Sequence, residues 1–209
     1  MDFFTSSVKI CALLFYKDKI QSFYNKLLPI TKTLDKKFLY PLPLPYYTML
    51  IIAEDKRFWK HEGVDWLSII RAMRNNIFYK KMEGASTIQQ QLVRIITADY
   101  RYSYRRKIKE ILIASTLNSF FTKENILKYY LFLAYYGWRS NGLLNHTDLL
   151  KINIYKASEE EIASIIARLK YPITKNLVKS IEDKHKIRTK FILSVYNNQK
   201  LKNETIRCK

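Results

Sequence analysis

Two glutamates in this 209-residue sequence lie among clustered cations, where a carboxylate can accept a proton or hold arginine side chains in place. Glu54 follows the apolar run Met49 to Ala53 and precedes Lys56 and Arg57. This is the setting expected of a half-buried general base. Taken alone, the segment is more simply explained by a surface glutamate in a charge pair, and His61 by a histidine at a helix end or in the core.

The second segment with chemical potential runs from Gly84 to Arg94. A flexible glycine precedes hydroxyl side chains that open a predicted helix, and amides and a cation follow one turn later. The N-terminus of such a helix offers free backbone N–H groups to an anion. The simpler alternative is an ordinary helix cap followed by solvated glutamines.

The third segment is Arg105-Arg106-Lys107-Ile108-Lys109-Glu110, in which Glu110 lies one helical turn after Arg106. Arginine and lysine fixed on a helix can neutralise a pyrophosphate leaving group as its charge develops. The alternative is an amphipathic helix with a solvated basic edge.

The elements that must position these segments are predicted to be helices. From Tyr46 onward apolar residues recur at helical spacing, without a comparable alternation of period two. One such stripe contains Trp66, Ile69, Ile70, Met73 and Ile77. Helix starts are predicted at Asp65, at a Ser86/Gln89 capping box, at Thr122 and at a Ser158/Glu161 capping box, and helix ends at Gly63, at Gly137 and before Pro172.

Prolines predict the domain organisation. Pro29, Pro41, Pro43 and Pro45 favour an extended connector over Pro29 to Pro45. We therefore expect an N-terminal apolar segment and connector over residues 1–45 and a folded domain over residues 46–209. The apolar run Phe3 to Tyr16 is a candidate membrane anchor or interfacial helix, although it is short for a span and contains Lys9.

Composition limits the class of protein. The chain has 37 Lys and Arg against 18 Asp and Glu, a formal charge of +19, which favours anionic partners. With 48% hydrophobic and 14% aromatic residues it can build a packed core, which excludes a basic disordered tail. The two cysteines, Cys11 and Cys208, stand at opposite ends and exclude a disulfide framework.

Taken in order, the three segments resemble glycosyltransferase family 51, the peptidoglycan transglycosylase domain of penicillin-binding proteins and of monofunctional transglycosylases. The family motif Glu-Asp-x-x-Phe-x-x-His-x-Gly is met by Glu54, Asp55, Phe58, His61 and Gly63. The Gly-Gly-Ser-Thr-Ile-Thr-Gln-Gln motif and its following basic residue resemble Gly84 to Gln91 and Arg94, with Ala85 and Gln89 substituted, and Arg-Lys-x-x-Glu is Arg106, Lys107 and Glu110. The resemblance covers roughly residues 40–195. Because no room remains for a transpeptidase domain, we expect the monofunctional form.

The resemblance implies a mainly α fold, with a lysozyme-like helical head and a smaller membrane-facing jaw lobe. It implies polymerisation of lipid II with inversion and release of lipid pyrophosphate. Glu54 is then the base, and Glu110 the second catalytic carboxylate, positioning the pyrophosphate with Arg94, Arg106 and Lys107. The full set of predicted substrate-binding residues is Asp55, Arg57, Phe58, His61, Ser86, Thr87, Gln90, Gln91, Arg94, Arg101, Arg106 and Lys107.

The implied partners are lipid II and lipid-linked glycan, an anionic membrane surface and other cell-wall synthesis proteins. The implied location is the extracytoplasmic, periplasmic face of the cell membrane. The sequence requires no cofactor and identifies no metal ligands, and the resemblance allows a divalent cation, Mg²⁺ or Mn²⁺, at the pyrophosphate.

Four departures from the family pattern keep alternatives open, namely Tyr102, Asn118, Phe132 and Arg139. The first alternative is a weakly active or inactive member that binds lipid-linked or cell-wall saccharide as a scaffold or regulator; a related variant transfers a different lipid-linked sugar. A basic nucleic-acid binder is suggested by the aromatics interleaved with cations from Tyr100 to Arg106. Because that reading leaves both carboxylate motifs unexplained, we expect no nucleic-acid partner.

Overall fold

The chain folds mainly into helices in a computed structural model that describes residues 2–38, 40–79, 84–176 and 178–207. The helices are α1 Asp2–Phe15, α2 Lys17–Lys37, α3 Leu44–Glu54, α4 Trp66–Tyr79, α5 Ile88–Thr97, α6 Tyr104–Leu117, α7 Lys123–Leu133, α8 Gly142–Leu149, α9 Glu159–Ala167 and α10 Lys179–Arg207. A 3₁₀ turn covers Phe58–Lys60, and the short strands β1 Tyr135–Gly137 and β2 Ser140–Asn141 pair antiparallel. The predicted mainly α fold class is confirmed.

Contacts divide the chain into two compact units. The first unit comprises Met1–Leu39 with Arg57–Tyr130, and the second Tyr40–Lys56 with Leu131–Lys209. Glu54 therefore belongs to the second unit and Glu110 to the first. The boundary at residue 45 that the prolines suggest stays a prediction.

In the first unit α6 packs against α1 and α5, and α2 packs against α1 and α5. The core contains Phe23, Leu27, Leu92, Ile113 and Leu117, which are fully or almost fully buried. Each such side chain stabilises the fold by about 1.5–3 kcal/mol relative to exposure. This packing fixes the backbones of α5 and α6, which carry the second and third sequence motifs.

In the second unit α9 packs against both α3 and α10. The predicted capping box at the start of α9 is present: Ser158 Oγ accepts from the Glu161 backbone N–H at 3.2 Å, and the Glu161 carboxylate accepts from the Ser158 N–H at 2.7 Å. Tyr46 and Met49 of α3 and Ile162 of α9 are buried in its core. This packing fixes α3, the helix that ends in Glu54.

Two other helix starts are confirmed and one is shifted. Asp65 Oδ1 accepts from the Ser68 N–H at 3.2 Å at the start of α4, and Thr122 caps α7. The cap of α5 is Thr87, whose hydroxyl accepts from the Gln90 N–H at 3.2 Å, so the predicted Ser86/Gln89 box is wrong by one residue. The physical reason is that the Ser86 hydroxyl has another partner, the Lys107 ammonium.

The expectation of an extended connector from Pro29 is wrong, because α2 continues through Pro29 to Lys37. The missing N–H of a proline inside a helix costs about 3 kcal/mol. Burial of Leu27 and Thr31 on either side offsets this cost. The extended part begins only after α2, and Pro45 lies in the first turn of α3, where proline is tolerated.

Neither predicted glycine ends a helix, because α3 ends at Glu54 and α7 at Leu133. Gly63 has φ +90°, and a Cβ there would lie 2.1 Å from the carbonyl oxygen of Ala114 on α6. Its function is therefore close approach of the loop to α6 in a left-handed conformation. Gly137 likewise has φ +138° and lies against the backbone of Ile173.

The apolar stripe predicted on α4 forms, but much of it faces solvent. Ile70, Met73 and Ile77 are more than half exposed, as is Phe78 at the end of the helix. Among the described residues, no helix is both long enough and apolar enough to cross a membrane.

Candidate active site

Glu54 is the last residue of α3, and its carboxylate is held by Arg188 of α10. Arg188 Nη2 donates to Glu54 Oε1 at 3.0 Å and to the carbonyl oxygen of Ala53 at 2.8 Å. Both side chains are 15% exposed, so the pair lies at the edge of the second unit's interior. At least one oxygen of this carboxylate is fixed, and the side chain remains within reach of solvent.

The residues that follow Glu54 are also fixed by the second unit. Asp55 is buried and caps the C-terminus of α3, where its N–H donates to the Ile51 carbonyl at 3.0 Å. The Lys56 ammonium lies 5.5 Å from the centre of the Phe191 ring on α10, a cation–π distance. The chain is therefore held on both sides of Glu54.

The first unit holds the rest of the first motif in a loop. Arg57 Nε donates to Asp65 Oδ2 at 2.9 Å, and Phe58 and His61 are buried with their rings 6.1 Å apart. Although burial acts in the opposite direction, hydrogen bonds from Ser68 and the Arg57 charge keep the pKa of Asp65 below its usual value. Direct substrate contact by Arg57, Phe58 or His61 stays a prediction, since the contacts described here stabilise the loop.

Lys123 of α7 fixes the backbone of this loop. Its ammonium donates to the carbonyl oxygens of Phe58 and Trp59 at 3.3 Å and to that of His61 at 2.8 Å. It also lies 3.3 Å from the carboxylate of Glu62. A single cation thus holds the carbonyl oxygens of Phe58, Trp59 and His61.

Glu110 lies at the centre of a cationic cluster in the first unit. The carboxylate is 2% exposed, and Arg94 binds it in a bidentate manner, with Nε at 2.8 Å from Oε1 and Nη2 at 3.1 Å from Oε2. Arg106, one turn before it on α6, also donates to Oε1. Both carboxylate oxygens therefore accept hydrogen bonds from arginine.

Lys107 extends this cluster to the second sequence motif. Its ammonium donates to Ser86 Oγ at 2.9 Å and to Gln90 Oε1 at 2.7 Å, and lies 3.6 Å from Glu110 Oε2. Burial lowers the pKa of Lys107, and the positive charges of the two arginines act in the same direction, against the attraction of Glu110. We refer to Ser86, Gln90, Arg94, Arg106, Lys107 and Glu110 as the Glu110 cluster.

The charges of the Glu110 cluster do not balance, since three cations surround one carboxylate and leave a net charge of +2. Arginine forks and an ammonium on fixed helices are the groups that proteins use to bind phosphate and pyrophosphate. The cluster is therefore suited to a ligand with about two negative charges.

Three other predicted residues lie outside this cluster. Thr87 caps α5 and donates to the Gly63 carbonyl at 2.7 Å, and Gln91 accepts from the Tyr130 hydroxyl at 2.7 Å. The Arg101 side chain is largely exposed and pairs with Asp99 at 2.9 Å, although its carbonyl accepts from Arg106. Their substrate contacts stay predictions.

Three of the four departures from the family pattern lie, respectively, at the surface, in a hydrogen bond and in a left-handed turn. Tyr102 is 97% exposed. Asn118 donates to Glu62 at 2.7 Å, so it connects the first-motif loop to the end of α6. Arg139 adopts φ +61° without being a glycine, and its guanidinium lies 4.2 Å from the Trp138 ring centre. The chain thus has a left-handed turn at Arg139, a conformation that glycine adopts more readily.

The described residues do not form a metal site. Among them no three His, Cys, Asp or Glu side chains come together as ligands. The one carboxylate of the Glu110 cluster is already bound by two arginines. The Mg²⁺ or Mn²⁺ that the resemblance allows therefore finds no protein-built set of ligands in this part of the chain, and we derive no step through it.

Sequence reasoning missed Arg188 and the loop-fixing role of Lys123. Arg188 is one cation among several on α10, a pattern that many solvated lysines and arginines share. Lys123 directly follows the predicted cap Thr122, and nothing in that local pattern indicates its contacts. Both act on backbone carbonyls far away in sequence, and such contacts leave no local pattern.

The fold and the Glu110 cluster define a mainly α protein with a fixed cluster of cationic side chains around one buried carboxylate. A family model described as Transglycosylase matches residues 36–197, and the chain belongs to this family. The family that the three motifs predicted is therefore confirmed.

Three relatives illustrate the family. The chain is 31% identical over 152 residues to a monofunctional glycosyltransferase of Staphylococcus saprophyticus, covering 68% of this chain and 56% of the relative. It is 34% identical over 161 residues to penicillin-binding protein 1F of Bacillus subtilis, covering 76% of this chain and 22% of the relative. It is 35% identical over 125 residues to penicillin-binding protein 1A of Rickettsia bellii, covering 58% of this chain and 15% of the relative. The matched region thus spans about half of the first relative and a smaller part of the other two.

Proposed function

We propose that this chain is a peptidoglycan glycosyltransferase that polymerises lipid II into glycan strands, with inversion and release of lipid pyrophosphate. The observation that carries the proposal is the Glu110 cluster, because its excess positive charge matches a pyrophosphate leaving group. Family membership and the relative named monofunctional glycosyltransferase support the same reaction class.

In the proposed reaction Glu54 is the general base. Its carboxylate takes the proton from a sugar hydroxyl of the acceptor while that oxygen attacks the anomeric carbon of the donor. The new C–O bond forms on one face as the bond to the pyrophosphate breaks on the other, which inverts the configuration. The electron pair of the broken bond leaves with the pyrophosphate.

The Glu110 cluster takes up the charge of the leaving group. Arg94, Arg106 and Lys107 neutralise the pyrophosphate oxygens, and Ser86 and Gln90 hold the Lys107 ammonium in place. We assign to Glu110 the task of fixing the two arginines, because both of its oxygens accept from them.

We further propose that the protein works at the extracytoplasmic face of the cell membrane, as a peripheral protein or with the N-terminal segment as its anchor. The exposed apolar residues Ile70, Met73 and Ile77 of α4 can enter the interfacial region of a bilayer. Arg71 and Arg74 on the same helix, with the overall charge of +19, favour anionic lipids.

Polymerisation of purified lipid II in detergent, followed by gel separation of the glycan products with and without Mg²⁺ and EDTA, tests the proposal. Glu54→Gln should reduce the rate by about 10²-fold or more, since it removes the base. Glu182→Gln is the matched control, because Glu182 is also paired with an arginine in the second unit. Full activity of Glu54→Gln would exclude Glu54 as the base, and lipid II binding without turnover would favour the scaffold alternative.

A further inference from the structure

We propose that Arg188 is a positioning residue for Glu54, which fixes where the carboxylate of the base points. This inference rests on the proposed function, because it assigns a partner to the base of that reaction. It concerns a residue outside the three motifs, on a helix more than 120 positions further along the chain.

Arg188 binds the Glu54 carboxylate and a backbone carbonyl of the same helix, α3, at the same time. The same nitrogen, Nη2, donates to Glu54 Oε1 at 3.0 Å and to the Ala53 carbonyl at 2.8 Å. The carbonyl belongs to the last turn of α3 and does not move independently of that helix. One carboxylate oxygen is thereby fixed relative to the end of α3.

Helix electrostatics explain why such a partner is needed. The C-terminus of a helix carries partial negative charge from its unpaired carbonyl groups, and a carboxylate at that end is disfavoured. Glu54 is the last residue of α3. The Arg188 guanidinium compensates both negative groups, the carboxylate and the helix end, and keeps the side chain from turning out into solvent.

Burial of Arg188 supports the same role. Its side chain is 15% exposed, and its Nε is buried without an acceptor in the described part of the chain. A guanidinium with an open buried donor is unfavourable unless a nearby negative charge compensates it. Glu54 supplies that charge.

The helix that carries Arg188 is itself well anchored. Ile192, one turn after Arg188, is fully buried, and α10 packs against both α3 and α9. Phe191 on the same helix lies under the Lys56 ammonium. Arg188 therefore acts from a rigid support, which is the condition for positioning a catalytic group.

The experiment compares turnover of lipid II by Arg188→Ala with the wild type. Displacement of a catalytic group by about 1 Å can cost about 10²-fold, so we expect kcat to fall about 10- to 100-fold with KM within about twofold. Tens of millimolar guanidinium should restore much of the lost kcat, because the cation can occupy the space left by the side chain. Glu54→Gln should show no such rescue.

Arg168→Ala is the matched control. Arg168 also joins a carboxylate in the second unit, that of Glu182, at 2.7 and 2.8 Å, and its side chain is 14% exposed. Its loss should lower the melting temperature without lowering kcat, and guanidinium should not change its activity.

The outcomes separate this inference from the function on which it rests. A wild-type kcat in Arg188→Ala would overturn the positioning role. A loss of activity that guanidinium does not restore, and that equals the unfolded fraction of the variant, would also overturn it. In both cases an inactive Glu54→Gln leaves the proposed function standing. Wild-type activity of Glu54→Gln would overturn both Glu54 as the base and the positioning role of Arg188, whereas absence of polymerisation by the wild type would overturn the proposed function itself. Should Arg188→Ala not fold, Arg188→Gln replaces it, since the amide retains a donor for the Ala53 carbonyl.

Discussion

Replacing Glu110 with Gln should destabilise the first unit, because it removes the buried counter-charge of three cations. The carboxylate is 2% exposed and accepts hydrogen bonds from two arginines, with Lys107 at 3.6 Å. A glutamine keeps the shape but loses the charge, and its amide nitrogen then faces a guanidinium donor. Three cations are left close together without a counter-charge.

The magnitude follows from the surroundings of the three cations. Removing one partner of a fully buried ion pair costs about 3–5 kcal/mol. The side chains of Arg94, Arg106 and Lys107 are 28%, 12% and 31% exposed, so water screens part of the remaining repulsion. We therefore expect a loss of about 2 kcal/mol, which lowers the melting temperature by roughly 4–8 °C for a chain of this size.

Thermal unfolding followed by circular dichroism at pH 7 and low salt measures this effect. The matched control is Glu182→Gln, which removes a carboxylate that is 23% exposed and paired with one arginine. It should cost about 1 kcal/mol, or roughly 2–4 °C. Added salt should reduce the loss in Glu110→Gln, because it screens the repulsion among the cations. A melting temperature within about 2 °C of the wild type, or a smaller loss than in Glu182→Gln, would refute the reasoning.

Three further predictions concern stability and membrane contact. Burial lowers the pKa of His146 from 6.5 to about 4, so the unfolded chain binds more protons between these values and stability should fall by roughly 3 kcal/mol as the pH drops from 6.5 to 4. Denaturant midpoints measured across this range should depend less on pH in His146→Gln, and an unchanged slope would contradict the assignment. Gly63→Ala should destabilise by at least about 1 kcal/mol, since its Cβ would lie 2.1 Å from a carbonyl oxygen of α6. Gly84→Ala, with open space around its Cα, is the matched comparison in the same melting experiment, and equal melting temperatures would count against the close approach. The double change Ile70→Glu and Ile77→Glu should weaken co-sedimentation with anionic phospholipid vesicles at least about tenfold, because it removes two exposed apolar side chains from α4. Unchanged binding would show that α4 is not the contact surface.

The sequence carried most of the information on fold class and on the Glu110 cluster. Helical spacing identified the helices because each must bury one face, and the Ser158 and Asp65 caps are local devices that sequence patterns report well. The third motif predicted that Arg106 and Glu110 would share a helix face, one turn apart, and they do.

What sequence patterns missed depends on contacts between distant segments. Pro29 breaks a helix by local rules, yet burial of α2 retains it. Ser86 is a good cap by local rules, yet the ammonium of Lys107 from α6 takes its hydroxyl and moves the cap to Thr87. The partner of Glu54 lies on α10 and has no motif of its own. In each case tertiary packing outweighs a local preference of a few kcal/mol or less.

Lys123 gives the loop of the first motif the equivalent of a built-in metal ion. Three carbonyl oxygens converge on its ammonium at 2.8–3.3 Å, as they would around a bound potassium or sodium ion, but this cation is covalently part of α7. The loop is consequently held by a side chain of α7 and not by an ion taken from solution. For the extracytoplasmic location proposed above, a counter-ion that cannot diffuse away would be an advantage.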